Sequence, residues 1–361
     1  MSDPAKESEN TLRIDESEFG KLDDGRVVKR FTLRGPGESS VELSAYGATL
    51  MAVRVPDAKG EIANVNIAFD TLDRYVAGHP YFGATVGRYA NRIGGASFKI
   101  DDQTYELAKN HGDHILHGGP GNFAYQLWDA ESATGSDDSG DYAEVTFTLQ
   151  SPDGENGFPG NVHASCRYRW DENHRLTIKF TATTDAATHL SLTNHSYLNL
   201  GGVGSGSVRD HELTIESDQT LAVDDDLIPG GDFEAVEGTV FDFRQPRTLG
   251  RSIDELPATK GYDHCFVVRG DVGSLRPAAK AVDPRSGRTL TVMTTLPGVQ
   301  LYTANHLGGS DANAGQSQHD AFCLETQMYP NSPNVPSFPS TLVRPGETMS
   351  ATTVYQFGVQ R

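Results

Sequence analysis

Apolar and polar residues alternate with a period of two in stretch after stretch of this chain. In one, Leu176, Ile178, Phe180 and Ala182 share a face while Thr177, Lys179 and Thr181 share the other. Val145, Phe147 and Leu149 repeat the pattern, as do Val41, Leu43 and Ala45, and Leu290, Val292 and Thr294. Each run is short and bounded by Gly, Pro, Asp or Asn, as half-buried strands are. Helical periodicity is confined to one or two turns at Leu72 to Ala77 and at Ser252 to Leu256. With no alternation of strands and helices, a doubly wound parallel sheet is excluded. The expected fold is all-β, a single large antiparallel β-sandwich. Polar, Gly-rich stretches predict loops at residues 1–10, Ser132 to Asp141 and Gly308 to Gln318. None resembles an interdomain linker, so the organisation expected is a flexible tail (1–10) and one domain (11–361).

Composition narrows the function classes. With 30 Lys and Arg against 49 Asp and Glu, the 361-residue chain carries a formal charge of −19, which repels nucleic acid. No run of apolar residues is long enough to span a membrane. The first ten residues lack the basic and apolar segments of a signal peptide, and the three cysteines (Cys166, Cys265, Cys323) are odd in number and far apart. A reducing, cytoplasmic location without disulfides is the expectation.

Four segments carry candidate chemistry. In Thr188 to Gly201, read as a strand, Leu190, Leu192, Leu198 and Leu200 point into a core. The opposite face holds His189, Ser191, Thr193, His195, Tyr197 and Asn199. That face is either a hydrated exterior or the floor of a cleft, with His195 as an acid or base and Tyr197 as a hydrogen-bonding partner. In Ala321 to Asn334, Cys323, Glu325, Gln327 and Tyr329 share a face. The apolar neighbours of Glu325 predict a raised pKa suited to a base; a surface carboxylate at a strand exit is the alternative. His111, His114 and His117 stand three apart, but the glycines around them argue against a helix, and three-residue spacing alternates faces in an extended chain. The reading favoured is one functional histidine in a loop and no metal. Asn91 and Arg92 suit a polyhydroxylated or anionic ligand, whereas Arg88 reads as a structural salt-bridge residue. Asp263 opens a strand, where it can accept hydrogen bonds from hydroxyls or serve only as a turn residue. No Walker A sequence, GxSxG elbow, HExxH or GxGxxG fingerprint is present.

The order of the motifs is more telling than any one of them. GRYANRI, LHGG, TNHSYLNL, GYDHCF, PGVQLYT and ETQMYPNSPN with FPSTLVRPGET, joined by DDDLIPGG and GTVFDFRQP, closely resemble the aldose 1-epimerases (galactose mutarotases) from about Leu43 onward. The resemblance implies the supersandwich fold of that family. It also implies interconversion of the α and β anomers of a small free monosaccharide, with no cofactor and no metal. It makes His195 the general acid and Glu325 the general base, with Asn91, Arg92, His117, Tyr197, Asp263 and Gln300 around the sugar. Departures are small: Ser196 and Leu198 replace the Thr and Phe common in the family, and Asn331 stands where Asp is usual, with an altered local loop as its expected consequence. The competing readings are a non-catalytic sugar-binding module, an epimerase of a phosphorylated sugar, which needs basic residues at the cleft rim, and a metal-dependent hydrolase using the three histidines. Chemically the acid–base pair is expected to begin as carboxylate and imidazolium, the negative field favouring the imidazolium.

Overall fold

Residues 12–360 are described by a computed structural model of the chain. A nine-stranded antiparallel sheet forms the backbone of the fold. Its strands run, in spatial order, Asp129–Asp137, Gly140–Ser151, Val162–Asp171, Arg175–Thr184, Met349–Val359, Arg288–Thr294, Arg276–Val282, Glu212–Ile215 and Arg247–Thr248. Two five-stranded sheets pack against it. One comprises Arg13–Lys21, Val27–Arg34, Ser40–Ser44, Thr49–Pro56 and Ile62–Asn64. The other, in spatial order, comprises Pro229–Ala235, Gln219–Val223, Asp263–Val267, Gly298–Tyr302 and Cys323–Gln327. The fold is the antiparallel β-sandwich that the alternation predicts.

The inward residues named from the alternation all lie in the core, because each strand turns one face to another sheet. Phe147 of the long sheet meets Phe31 of the first five-stranded sheet edge to face, with ring centroids 5.9 Å apart. Tyr355 Oη donates to the Leu324 carbonyl of the second at 3.3 Å. Helix is limited to Leu72–Val76 and short 3-10 turns, one of them at Ile253–Glu255, where the two helical expectations lay. Among the described residues no helix is long and apolar enough to cross a membrane. The expected tail at 1–10 falls outside the described residues.

Two expectations need correction. Ser132 to Asp141 is a hairpin rather than a loop, paired in register from Asp129↔Thr148 to Asp137↔Gly140. It forms the edge of the long sheet, so few of its side chains are buried and its composition looks like that of a loop. Arg169, stacked 3.6 Å over Tyr142 and 2.7 Å from Asp137, fastens it. The segment Thr188 to Gly201 is not one strand. It breaks into Thr188–His189, Thr193–Asn194 and Tyr197–Leu198, which pair with Leu342–Val343, Thr85–Val86 and Asn66–Ile67 respectively. Both of its faces are buried, since further layers cover the polar side. No hydrated exterior exists there. Gly308 to Gln318 is a loop, as expected, with one 3-10 turn.

Candidate active site

The second five-stranded sheet supplies one wall of the site through its register. Asp263 pairs with Tyr302, and Gln300 with Glu325. Period-two alternation therefore puts Asp263, Gln300, Tyr302, Glu325 and Gln327 on one face, while Phe266, Val299, Leu301 and Leu324 enter the core from the other. The broken 188–201 segment crosses beside this sheet and is fastened to it by Thr193 Oγ1, which donates to the Thr326 carbonyl at 2.8 Å. That crossing brings His195 to Glu325.

A cavity of about 220 Å³ opens where these elements meet. Its walls include His195, Glu325, Asn91, Arg92, His117, Tyr197 and Asp263, seven of the eight residues predicted from sequence. Gln300 is the exception: it stands behind Asp263, its Nε2 donating to Asp263 Oδ1 at 2.7 Å, and its Oε1 accepts from Gln327 Nε2 at 3.3 Å. Its amide orients a cavity carboxylate. Tyr81, Tyr302 and His306 also line the cavity and were not singled out, and His111, read from sequence only as one of three spaced histidines, lines it as well. Tyr302 was within reach of the sequence, because the alternation that places Gln300 places Tyr302 two residues on. Tyr81 carries no chemical signature in its sequence context. A larger open cleft of about 1120 Å³ lies elsewhere, around Arg244, Arg247 and Arg251; it holds none of the predicted residues.

The two glycine-rich motifs are locked to one another. Asn91 and His117 both adopt left-handed backbone, at φ +65° and +53°, a region costly for most residues. Backbone hydrogen bonding stabilises it: His117 N–H donates to the Asn91 carbonyl at 2.9 Å, and Asn91 N–H donates to His117 Nδ1 at 3.1 Å. Gly118 follows because a Cβ there would lie 2.3 Å from the Gly87 carbonyl oxygen. Asn331 also braces this region, with φ +60° and two roles. Its Oδ1 accepts from Gly94 N–H at 3.0 Å and its Nδ2 donates to the Pro229 carbonyl at 3.0 Å. An Asp at this position lacks the second donor.

Electrostatics in the cavity are governed by burial. His195 and Glu325 are 5% and 3% exposed, with Nε2 and Oε1 3.6 Å apart. Glu325 accepts no hydrogen bond from the described residues, and its Oε2 is buried without a partner. Burial, reinforced by the Asp263 charge and opposed by Arg92, holds the Glu325 carboxyl well above the ordinary range. Burial also lowers the His195 pKa to about 4, against a smaller pull upward that includes Asp263. The expectation of an imidazolium favoured by the negative field is thus corrected. The nearby carboxylate does act in that direction, but desolvating the ring outweighs it. The pair sits at ion-pair distance, yet its single proton rests more stably on the carboxyl.

His111, His114 and His117 do not converge. His114 turns away to accept from Gly95 N–H at 3.0 Å and to face Asp226 at 3.4 Å. Among the described residues the group with ligand spacing is His117, His195 and Glu325, whose atoms lie within 4.8 Å of one another. Its hydrogen bonding fits a metal poorly. A ligating histidine donates its second ring N–H outward, whereas His117 Nδ1 accepts one from Asn91. This fixes the neutral tautomer with hydrogen on Nε2, a donor aimed at the cavity. Burial, with His195 and Arg92, keeps that ring neutral.

Asp263 takes both donors available to it, from Gln300 and, at 3.4 Å, from Arg92 Nη2. Asp263→Asn keeps the shape but turns an amide NH₂ toward one of these donors. On the role that the resemblance implies for Asp263, KM for sugar is expected to rise about tenfold or more, the size of one lost charged hydrogen bond. Saturation kinetics check this, and an unchanged KM removes Asp263 from the contacts.

Comparisons with known proteins point one way. A family model described as Aldose 1-epimerase matches residues 29–356. The chain is similar to the galactose mutarotase of Bos taurus, at 41% identity over 94% of this chain and 97% of that protein. It is similar to the aldose 1-epimerase of Escherichia coli strain K12 at 35% identity, over 92% and 96%. Among solved structures, a galactose 1-epimerase from Lactobacillus acidophilus NCFM superposes with a TM-score of 0.86 at 27% identity, covering 97% of this chain and 100% of that one.

Proposed function

The chain belongs to the aldose 1-epimerase family, and from that premise we propose that it interconverts the α and β anomers of free aldohexoses such as galactose and glucose, with Glu325 and His195 as the proton-transfer pair. The observation that carries this reading is the pairing of an acid and a base, 3.6 Å apart, on the wall of a small cavity. The volume suits one small ligand, since drug-sized ligands take roughly 300–1,000 Å³.

Anomerisation breaks the C1–O5 bond, rotates the aldehyde about C1–C2 and closes the ring on its other face. On opening, the C1 hydroxyl loses a proton to Glu325 and O5 gains one from His195; closure reverses both transfers. The pair holds one exchangeable proton throughout. With the ring closed, the reaction starts from carboxylate and imidazolium. With the ring open, the pair is carboxylic acid and neutral imidazole, the arrangement that burial favours. Burial therefore lowers the energy of the open-chain complex relative to the closed one, which is where an uncatalysed sugar has its difficulty. His117 Nε2–H and the Arg92 guanidinium provide fixed donors to the sugar oxygens.

The same proton count sets the pH dependence. His195 takes on an additional proton only near pH 4, and Glu325 retains the shared one well above the usual carboxylate range. The kcat/KM profile is expected to be a broad bell whose acid limb lies near pH 4. An acid limb at about 6.5, where an ordinary imidazole titrates, contradicts it.

An epimerase of phosphorylated sugars is not favoured, because the Arg92 guanidinium on the cavity wall already pairs with Asp263. The test of the main reading is polarimetry on freshly dissolved α-D-galactose and α-D-glucose with chelator present. Accelerated equilibration by the wild type supports it, and the ratio of the two rates reports the preferred sugar. No acceleration of either sugar, with binding intact, leaves a sugar-binding module.

A further inference from the structure

We infer that Tyr81 is a positioning residue for this reaction, its ring stabilising the cationic form of His195 during proton transfer; the inference rests on the reading of His195 given above.

Two tyrosine rings lie nearly parallel to the His195 imidazole: Tyr197, with centroids 5.0 Å apart at 12°, and Tyr81, 5.7 Å apart at 19°. An aromatic face is electronegative and attracts a cation within about 6 Å of its centroid. Stacking also confines the imidazole to one plane. His117 and Tyr302 meet His195 edge to face, at 5.3 and 6.4 Å. The charged or titratable groups facing His195 are thus Glu325, Asp263, His117, Tyr302 and the two stacked tyrosines, with His79 behind Tyr81, its ring 6.2 Å away. Both His117 and His79 are held neutral by burial. Favourable interaction with the imidazolium comes from the backbone carbonyl of His195 itself, from the carboxylates and from the stacked rings.

The placement of Tyr81 is built into the backbone that places His195. Gly83 N–H donates to the His195 carbonyl at 2.9 Å, and His195 N–H donates to the Ala84 carbonyl at 3.0 Å. Ala84 N–H in turn closes a turn on the Tyr81 carbonyl at 3.0 Å. The pairing continues into Asn194↔Thr85 and Thr193↔Val86. Gly83 does not admit a side chain, since a Cβ there would lie 1.9 Å from the Leu50 carbonyl oxygen. Tyr81 itself has φ +64°, a left-handed conformation that a bulky residue adopts only when its surroundings enforce it. A residue needed only to close off the cavity has no such requirement.

The experiment compares Tyr81→Leu and Tyr81→Met, which keep the apolar volume but remove the ring, with Tyr81→Phe, which keeps the ring and removes the hydroxyl. Imidazole ¹³C resonances are titrated from pH 7 to 4, His195 being assigned by its loss in His195→Asn, with the amide spectrum reporting the fold. With a wild-type pKa near 4, His195 is about half protonated at pH 4. Loss of the ring is expected to lower that pKa by about one, leaving about a tenth protonated, while Phe matches wild type. The Leu and Met variants are expected to lose roughly tenfold in kcat with KM changed less than threefold, and the Phe variant to recover the rate. Unchanged titration in both non-aromatic variants overturns the inference, and so does a shift in Phe as large as in Leu. Near-normal turnover by His195→Asn overturns the reading of His195 itself. An inactive His195→Asn beside wild-type behaviour of Tyr81→Leu and Tyr81→Met overturns only the role of Tyr81.

Discussion

Glu325→Gln is expected to lower kcat by roughly 10²–10⁴-fold while leaving the fold intact, the usual contribution of one positioned proton-transfer group. The amide has the same shape but cannot take the proton from the C1 hydroxyl. Structure is expected to survive because Glu325 accepts no hydrogen bond from the described residues, so none is broken. The substitution removes a buried ionisable group whose charged form is costly, and the melting temperature is expected to hold or rise. His195→Asn is expected to cost a similar factor. The informative measurement is the double variant. Groups that move one proton between them act as a unit, so removing both costs little more than removing either. Independent losses that multiply would mean that the two act in separate steps. Near-normal turnover in either single variant would falsify the acid–base assignment.

How much of this was legible in the sequence follows from what each segment packs against. Strands such as Leu176 to Ala182 face one sheet and solvent, so alternation reported them faithfully. It failed in two opposite situations. At Ser132 to Asp141 an edge hairpin has little to bury and reads as loop. At Thr188 to Gly201 both faces are covered, so alternation could not distinguish a cleft floor from an outer surface. The site residues were readable because their motifs are ordered; the burial expected for Glu325 holds, but it comes from the cavity walls around it, since Leu324 faces the core on the other side of the strand. What composition could not provide was the contest between field and burial at His195. A formal charge of −19 suggests a favoured imidazolium, but the charges are mostly at the solvated surface, where screening is strong, and the ring is buried. Similarly, the resemblance put Gln300 among the residues around the sugar, and only the structure shows that Asp263 stands in front of it.

Arg88→Met is expected to destabilise the protein by about 3–5 kcal/mol, the cost of removing one side of a buried charged network. Sequence suggested that Arg88 is structural through salt bridges. It is structural, but its partners are different. The side chain is 2% exposed, and its five N–H groups meet five acceptors. Nε donates to Ser151 Oγ at 2.7 Å. Nη1 donates to the carbonyls of Phe158 and Pro159 at 3.3 and 3.0 Å, and Nη2 to those of Ser151 and Pro152 at 3.0 and 2.6 Å. Burial lowers the Arg88 pKa only to about 10, with Glu155 foremost among the acidic groups opposing it, so the guanidinium stays charged at neutral pH. Its main chain is engaged as well, since Ser191 N–H donates to the Arg88 carbonyl at 2.9 Å and Ala90 N–H to the Ser191 carbonyl at 2.7 Å. Arg88 thereby joins the 151–159 loop to the segment that turns into Asn91 and Arg92 on one side and His195 on the other. Met leaves four carbonyls and a hydroxyl without their donor. Lys, with three donors at one point, cannot span them. For a chain of this length the expected loss corresponds to a fall in Tm of roughly 4–7 °C, with Arg88→Lys intermediate. Calorimetry decides the stability claim, and a Tm within a degree of wild type would refute it. Turnover measured well below the transition separates support from chemistry. A few-fold loss is what a loosened scaffold produces, whereas a loss as large as that of Glu325→Gln would place Arg88 among the reacting groups, which its geometry denies.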